Sequence, residues 1–120
     1  MGLEQYPKRG EIYLVNLDPV IGAEISKTRP ALILSNDINN QYAETVTVIP
    51  ITSTVTKIHP FEVRLSHQKS GLDMDSKAKC NQIRTIDKKR LVKIIGKIST
   101  DIMIQIEKSL LIHLGFSYER

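Results

Sequence analysis

Apolar residues in this chain arrive first in short bursts and only near the end at helical spacing. Residues 10–17 (GEIYLVNL) are rich in β-branched and aromatic side chains, which predicts a first strand stopped by Asp18-Pro19. Residues 31–35 form a short apolar run bounded by Pro30 and Asn36, a second, buried strand. Residues 36–42 are polar and predict one helical turn. Residues 45–51 (TVTVIPI) alternate as a strand with one buried face should, and residues 61–65 (FEVRL) alternate more cleanly. Residues 79–86 and 90–97 complete the strand candidates. The chain then changes period. Ser99 stands as an N-cap, Asp101 suits the positive end of a helix dipole, and Ile102, Met103, Ile106, Leu110 and Leu114 recur at helical spacing up to a stop at Gly115. Ile104, Leu111 and Ile112 widen the apolar stripe, so this helix is expected to be buried on more than one side, the second being a subunit interface.

Two polar connections are long for so small a domain, residues 18–30 and 52–60, and loops of that length usually carry function. No repeat, low-complexity tract or linker interrupts the pattern, which predicts one mainly β (α+β) domain over residues 1–120. With 41% hydrophobic residues the core is real but modest, and no apolar run approaches membrane-spanning length. Gly2-Leu3-Glu4-Gln5 lacks a signal-peptide pattern, and Tyr6 stands where a myristoylation signal needs Ser or Thr. A lone Cys80 leaves no internal disulfide, fits a reducing cytoplasm and excludes cysteine-cluster zinc.

Charge changes the picture more than composition does. The net charge is +4, yet residues 77–97 alone carry +7, leaving −3 for the rest, an asymmetry that suggests a polyanionic partner. His59, His67 and His113 invite acid–base chemistry but show no metal-ligand spacing and read more simply as loop, strand-end and helix residues. Gly71-Leu72-Asp73-Met74-Asp75-Ser76 resembles the start of a calcium loop, but Lys77, Ala78 and Arg84 occupy the positions that should carry an acid, a glycine and the closing glutamate. It reads as a turn, and no metal or cofactor is expected. Lys79 and Asn81 flank Cys80 and could lower its pKa, although a buried strand cysteine is the simpler account. Two stretches suit phosphate recognition: Thr28-Arg29-Pro30 at the mouth of a strand, and Pro50-Ile51-Thr52-Ser53 at the end of another. Hydroxyl caps and a surface arginine would also explain them. Pro30 forces extended geometry on Arg29, so a stiff backbone aims the guanidinium.

Six blocks occur in order: Gly10-Glu11-Ile12-Tyr13, Leu17-Asp18-Pro19, Gly22-Ala23-Glu24, Lys27-Thr28-Arg29-Pro30, Pro50-Ile51-Thr52-Ser53, and residues 81–88 (NQIRTIDK). Together they resemble the MazF/PemK toxins of bacterial type II toxin–antitoxin modules, over about residues 8–115. The resemblance implies a small SH3-like antiparallel barrel of five to seven strands, of the type shared with CcdB, with a C-terminal helix and homodimeric assembly. It implies a cytoplasmic, metal-independent, sequence-specific endoribonuclease acting on single-stranded messenger RNA. It also implies a cognate antitoxin with an acidic segment, and a toxin–antitoxin complex that binds operator DNA. The family's arginine and threonine fall on Arg29 and Thr52, the expected catalytic pair, with Glu24 as an accessory acid. Lys27, Thr28, Ser53, Lys57, Lys79, Asn81, Gln82 and Arg84 are the expected RNA contacts. One branch of the family uses a histidine, arginine and aspartate as its acid–base set; here those positions read Ala23, Lys79 and Asn81, which favours the arginine–threonine version.

Metal-free cleavage has the ribose 2′-hydroxyl attack the adjacent phosphorus in line, leaving a 2′,3′-cyclic phosphate and a 5′-hydroxyl. A preorganised guanidinium stabilises the charge that develops on the nonbridging oxygens. Thr52 would fix the phosphate's orientation, and Glu24 would act as base or orient Arg29. The competing readings are a gyrase-poisoning toxin of the CcdB type and a non-catalytic nucleic-acid-binding barrel, since fold alone does not settle function.

Overall fold

The computed structural model describes residues 5–117; the Gly2–Glu4 stretch read above for targeting signals lies outside them. Seven strands, β1 (Glu11–Asn16), β2 (Thr28–Ile33), β3 (Thr45–Thr52), β4 (Glu62–Leu65), β5 (Ser76–Lys79), β6 (Arg84–Asp87) and β7 (Leu91–Lys97), make a mainly β fold. They pair in the order β4-β5-β3-β2-β1-β7, with β6 on β3, and every pairing is antiparallel. Among the described residues three α-helices complete it: α1 (Asp37–Tyr42), α2 (His67–Ser70) and the long α3 (Thr100–Leu114). No helix among the described residues is long and apolar enough to cross a membrane.

Strand β3 explains the shape. One edge pairs with β2 (Leu32↔Ile49), while the other pairs first with β6 (Val46↔Ile86) and then with β5 (Ile51↔Ala78). The predicted single strand over 79–86 is therefore two. The chain must leave β5 at one end of β3 and rejoin the same edge at the other, and it makes that step in a 3-10 turn over Cys80–Gln82. Strand β2 also begins earlier than predicted, because β1 pairs with Thr28, Arg29 and Pro30 before β3 joins at Ala31.

The core lies on both faces of the sheet. Ile12, Leu32, Ile49, Ile51, Val63 and Leu65 pack beneath Met103, Ile106 and Leu110 of α3. Val15, Leu17, Ala31, Ile33, Val46, Val48 and Ile86 form the second layer, with Ile25 and Leu91 against it. Consecutive β3 residues feed opposite layers, as period 2 requires. The alternation predicted from TVTVIPI thus holds only where Thr45 is exposed and Thr47 half-buried; from Val48 to Ile51 both faces are buried.

Helix α3 has the predicted ends. Ser99 Oγ accepts from the Ile102 amide at 3.2 Å, and Gly115, at φ 75°, closes the helix by donating to Ile112 O. Its predicted burial on more than one side is not met within the chain. Met103, Ile106, Ser109 and Leu110 are buried, whereas Ile104, Ile112 and Leu114 stay about half exposed because only one side reaches the sheet.

The turn after α2 is held in two ways. Gly71 (φ 85°) and Gly96 meet backbone to backbone; a Cβ on Gly96 would lie 1.8 Å from Ser70 O. Asp75 Oδ1 accepts from the His67 amide at 3.0 Å and lies 2.6 Å from His67 Nδ1, while Arg64 donates to Oδ2 at 3.0 Å. Those bonds, the His67 amide foremost, hold the Asp75 carboxyl down from its ordinary 3.8 to about 2. The calcium-like stretch is accordingly a turn in which Asp75 serves as an internal acceptor.

Two outcomes follow for stability. Gly96→Ala should cost roughly 3 kcal/mol, because backbone rather than a movable side chain blocks the new methyl, and calorimetry would show it as a lowered Tm. Asp75 contributes stability that is complete above its unfolded value of 3.8 and is lost as pH falls through about 2. Asp75→Asn should therefore remove that part of the acid dependence, with its Tm falling less steeply than the wild type's between about pH 4 and pH 2. Parallel slopes for the two proteins would contradict the assignment.

Candidate active site

Residues facing one another on paired strands share a face of the sheet. Strands β2 and β3 pair Ala31 with Pro50 and Leu32 with Ile49. The pairing ends there: two and three residues further out, Arg29 and Thr28 lie opposite Val15 and Asn16 of β1, while Thr52 lies opposite Lys77 of β5 and Ser53 begins the loop. The two stretches singled out in the sequence thus lie at the open ends of neighbouring strands. Arg29 and Thr52 are half-buried, while Thr28 and Ser53 are exposed.

A cavity of about 720 Å³ opens at this rim, lined by Thr28, Arg29 and Ser53 together with Leu14, Pro30, Ile51, Leu72, Asp73, Met74, Ser76 and Lys93 to Ile95. Thr52 is not on its wall, although its chain neighbours Ile51 and Ser53 are. Arg29 Nε donates to Ser26 O at 2.8 Å, so the guanidinium is oriented by the loop's backbone rather than by Glu24. Its terminal amino groups make no hydrogen bond to a described residue, which leaves both free for an anion.

Four more of the predicted residues, Glu24, Asn81, Gln82 and Arg84, gather in a second depression of about 450 Å³, lined also by Ala23 and Ile83; Lys27, Lys57 and Lys79 are not on its wall. Asn81 and Arg84 therefore share one surface, a point the strand pattern left open. Glu24 Oε1 accepts from the Ile21 amide at 2.7 Å and braces its own loop. Gln82 Oε1 accepts from Ile25 N at 2.9 Å, and Arg84 donates to Leu17 O at 3.2 Å. Asn81 Oδ1 is buried and has no hydrogen-bond partner among the described residues. The two depressions are joined through the chain, since Ile25, held by Gln82, directly precedes Ser26, which holds Arg29.

The loop between them is closed at its base. Leu17 N donates to Lys27 O at 2.9 Å, and Lys27 N donates to Asp18 Oδ1 at 2.9 Å. Lys27 has φ 72°, a left-handed conformation unusual for a side-chain-bearing residue, and its exposed side chain stands next to Thr28.

Not every predicted cation is free. Lys79 Nζ lies 3.5 Å from Glu62 Oε2, and Lys77, in the same basic stretch, is buried against Glu62 Oε1 at 3.0 Å. Arg84 and Arg90 donate to backbone carbonyls of residues 16–18. Half of the stretch's eight cations are thus used internally, which lessens the free basic surface that the sequence suggested. Lys57 is exposed, with its carbonyl accepting from Lys77 Nζ.

Sequence patterns missed Ser26, Asp73, Ser76 and Lys93 as members of the site. Lys93 arrives through the β1–β7 pairing opposite Leu14, a contact with no local signature. Burial and the Glu62 charge push the Cys80 thiol up to about 12, so the activating effect allowed for Lys79 is absent and the cysteine is inert. His59 stacks on Phe61, with ring centroids 5.2 Å apart, and His113 is exposed at the end of α3.

Comparison with known proteins bears on the chain as a whole. Residues 8–114 match the family described as the PemK-like, MazF-like toxin of type II toxin–antitoxin systems. The chain is 42% identical over 112 residues to Endoribonuclease MazF9 of Mycobacterium tuberculosis, covering 89% of this chain and 95% of that protein. Its fold superposes on MazF of Deinococcus radiodurans with a TM-score of 0.81 at 26% identity, covering 92% of this chain and 98% of that one. Against the Mycobacterium tuberculosis toxin MazF-mt6 the TM-score is 0.78 at 26% identity, with 90% and 99% covered. With this match spanning strands, loops and helix alike, the chain belongs to the PemK-like, MazF-like toxins of type II toxin–antitoxin systems.

Proposed function

We propose that this toxin is an endoribonuclease that cuts single-stranded messenger RNA at specific sequences without a metal ion, with Arg29 and Thr52 on the reacting phosphate. What supports the reading is that the β2–β3 pairing, which ends at Ala31↔Pro50, leaves Arg29 and Thr52 each two residues further out on these neighbouring strands, with the guanidinium fixed at Nε and open at its far end. Its relative at 42% identity is named as an endoribonuclease, which supports the same reaction class.

The chemistry follows from that geometry. The 2′-hydroxyl gives up its proton and attacks the adjacent phosphorus, the bond to the 5′-oxygen breaks and that oxygen takes up a proton, and charge builds on the nonbridging oxygens where the free end of Arg29 donates to them. Because Nε is already engaged, little reorganisation is needed as the charge appears. Thr52 and Ser53 hold the phosphate from the facing strand. Glu24 supplies the carboxylate of the second depression, where Asn81, Gln82 and Arg84 face the neighbouring nucleotide, while Thr28 on the wall of the first, with Lys27 next to it, contacts the RNA from the loop side. Lys57 and Lys79 act on the backbone at longer range.

The toxin works as a single domain over residues 1–120, in the cytoplasm and as a homodimer. The exposed Ile104, Ile112 and Leu114 on α3 support the dimer by leaving apolar surface to cover. A MazE–MazF complex from Deinococcus radiodurans superposes with a TM-score of 0.75 at 26% identity, covering 92% of this chain and 98% of that one. It supports a cognate antitoxin here, whose acidic segment would occupy the cleft that RNA uses, in a complex that binds operator DNA.

Incubating the purified protein with single-stranded RNA in excess chelator tests the reaction. Fragments ending in 2′,3′-cyclic phosphate and beginning with 5′-hydroxyl are expected. Activity lost in chelator and restored by magnesium would refute the chemistry, and gyrase poisoning without RNA cleavage would favour the CcdB-type reading. A second measurement addresses the residues. Arg29→Lys keeps the charge but loses the planar fork, so the cleavage step should fall by ~10²-fold or more while affinity for a non-cleavable RNA changes little. Thr52→Val should slow the same step, and the double variant should show a smaller loss than the product of the two. Wild-type rates in both single variants would sink the assignment.

A further inference from the structure

Residues 53–61 leave the sheet directly after Thr52 and contain neither helix nor strand, yet their middle is tied down by one buried ion pair. Lys77 Nζ donates to Lys57 O at 2.7 Å and to Glu62 Oε1 at 3.0 Å. The same Glu62 oxygen accepts from the His59 amide at 2.9 Å. The Lys77 side chain is 8% exposed and that of Glu62 is fully buried. Burial works against the Glu62 charge, but the His59 amide, Lys77 and Lys79 outweigh it and hold the carboxyl below its ordinary range.

Lys77 is also the residue that β5 places directly opposite Thr52. A single side chain therefore spans from the partner of Thr52 to the midpoint of the loop that begins at Ser53. We propose that the Glu62–Lys77 pair is a positioning device for the cleavage step, fixing residues 53–61 so that Thr52 and Ser53 keep their place at the cavity rim that Thr28 and Arg29 line. The role rests on the active-site reading given above and adds two residues that touch neither substrate nor reacting atoms.

The chemistry of the pair favours positioning over stability. A buried ion pair is commonly no more stabilising than apolar residues of the same size. What an apolar pair cannot do is donate to the Lys57 carbonyl, which would be left without its partner. The ammonium donates to the carbonyl and to one carboxylate oxygen together, and so converts a free loop into a fixed one.

The test compares Lys77→Met, Glu62→Gln and the double variant, reading Tm, kcat and KM on single-stranded RNA, and trypsin cleavage after Lys57. Lys77→Met alone should lower Tm, because it leaves a buried carboxylate short of its main counter-charge. The double variant should regain most of that Tm, yet kcat should remain about tenfold or more below wild type with KM within about twofold, as expected for displaced positioning groups. Recovery of kcat along with Tm would overturn the proposal and leave the pair a structural one. The bond after Lys57 should resist trypsin in the folded wild type and be cut faster in the double variant. Prompt cutting there in the wild type would overturn the proposal even if neither variant folded. A wild type that cannot cut RNA in chelator would instead sink the ribonuclease reading, which the trypsin result does not depend on.

Discussion

Eight residues of β3 hold this molecule in register. Strand β3 supplies backbone pairing to β2 on one edge and to β6 and β5 in succession on the other, while its side chains feed both apolar layers. Because the side-chain period is two, a slip of one residue would exchange Val46 and Val48 with Thr45 and Thr47 and turn threonines into the core. The same slip would move Thr52 away from Arg29. Fold and site thus share one constraint, which explains why both phosphate-suited stretches lie where strands end: the strands fix the backbone, and their open ends leave the side chains to the solvent.

The long loops obey a second rule, that backbone carbonyls near the core must find donors. Here cationic side chains provide many of them. Arg84 and Arg90 reach the carbonyls of residues 16–18, Lys77 reaches Lys57, and Arg29 reaches Ser26. The strongly basic stretch is therefore partly scaffold. Its arginines and lysines hold two loops against the sheet, and those loops carry Glu24, Lys27 and Ser53. Charge that appears from composition to be meant for a partner is spent in half of its positions on the protein itself.

A division of labour within Arg29 links this scaffold to the chemistry. Planarity lets one guanidinium anchor at Nε and still present two amino groups at its other end. A lysine could bond Ser26 O or an anion with one rotating ammonium but could not hold a fixed direction toward both. The residue at the rim of the core is oriented by the loop and directed by the strand, which is the preorganisation that charge stabilisation without a metal requires.

The sequence by itself determined the period of each element. The strands over residues 10–17, 31–35, 45–51 and 61–65 and the capped helix ending at Gly115 are local properties of alternation, punctuation and capping, and they were legible within one to a few residues. So was the ordered set of blocks that marks the family, and with it the candidacy of Arg29 and Thr52. Tertiary structure decided what depends on pairing across the chain. It broke residues 79–86 into two strands, because both must use one edge of β3. It exposed the far side of α3, since a single sheet can cover only one side of a helix. It brought Asn81 and Arg84 to one surface, delivered Lys93 to the cleft, and paired Glu62 with Lys77 across two strands and a loop. Residues tens of positions apart leave no mark on one another's local pattern, and only the register of the sheet says which of them meet.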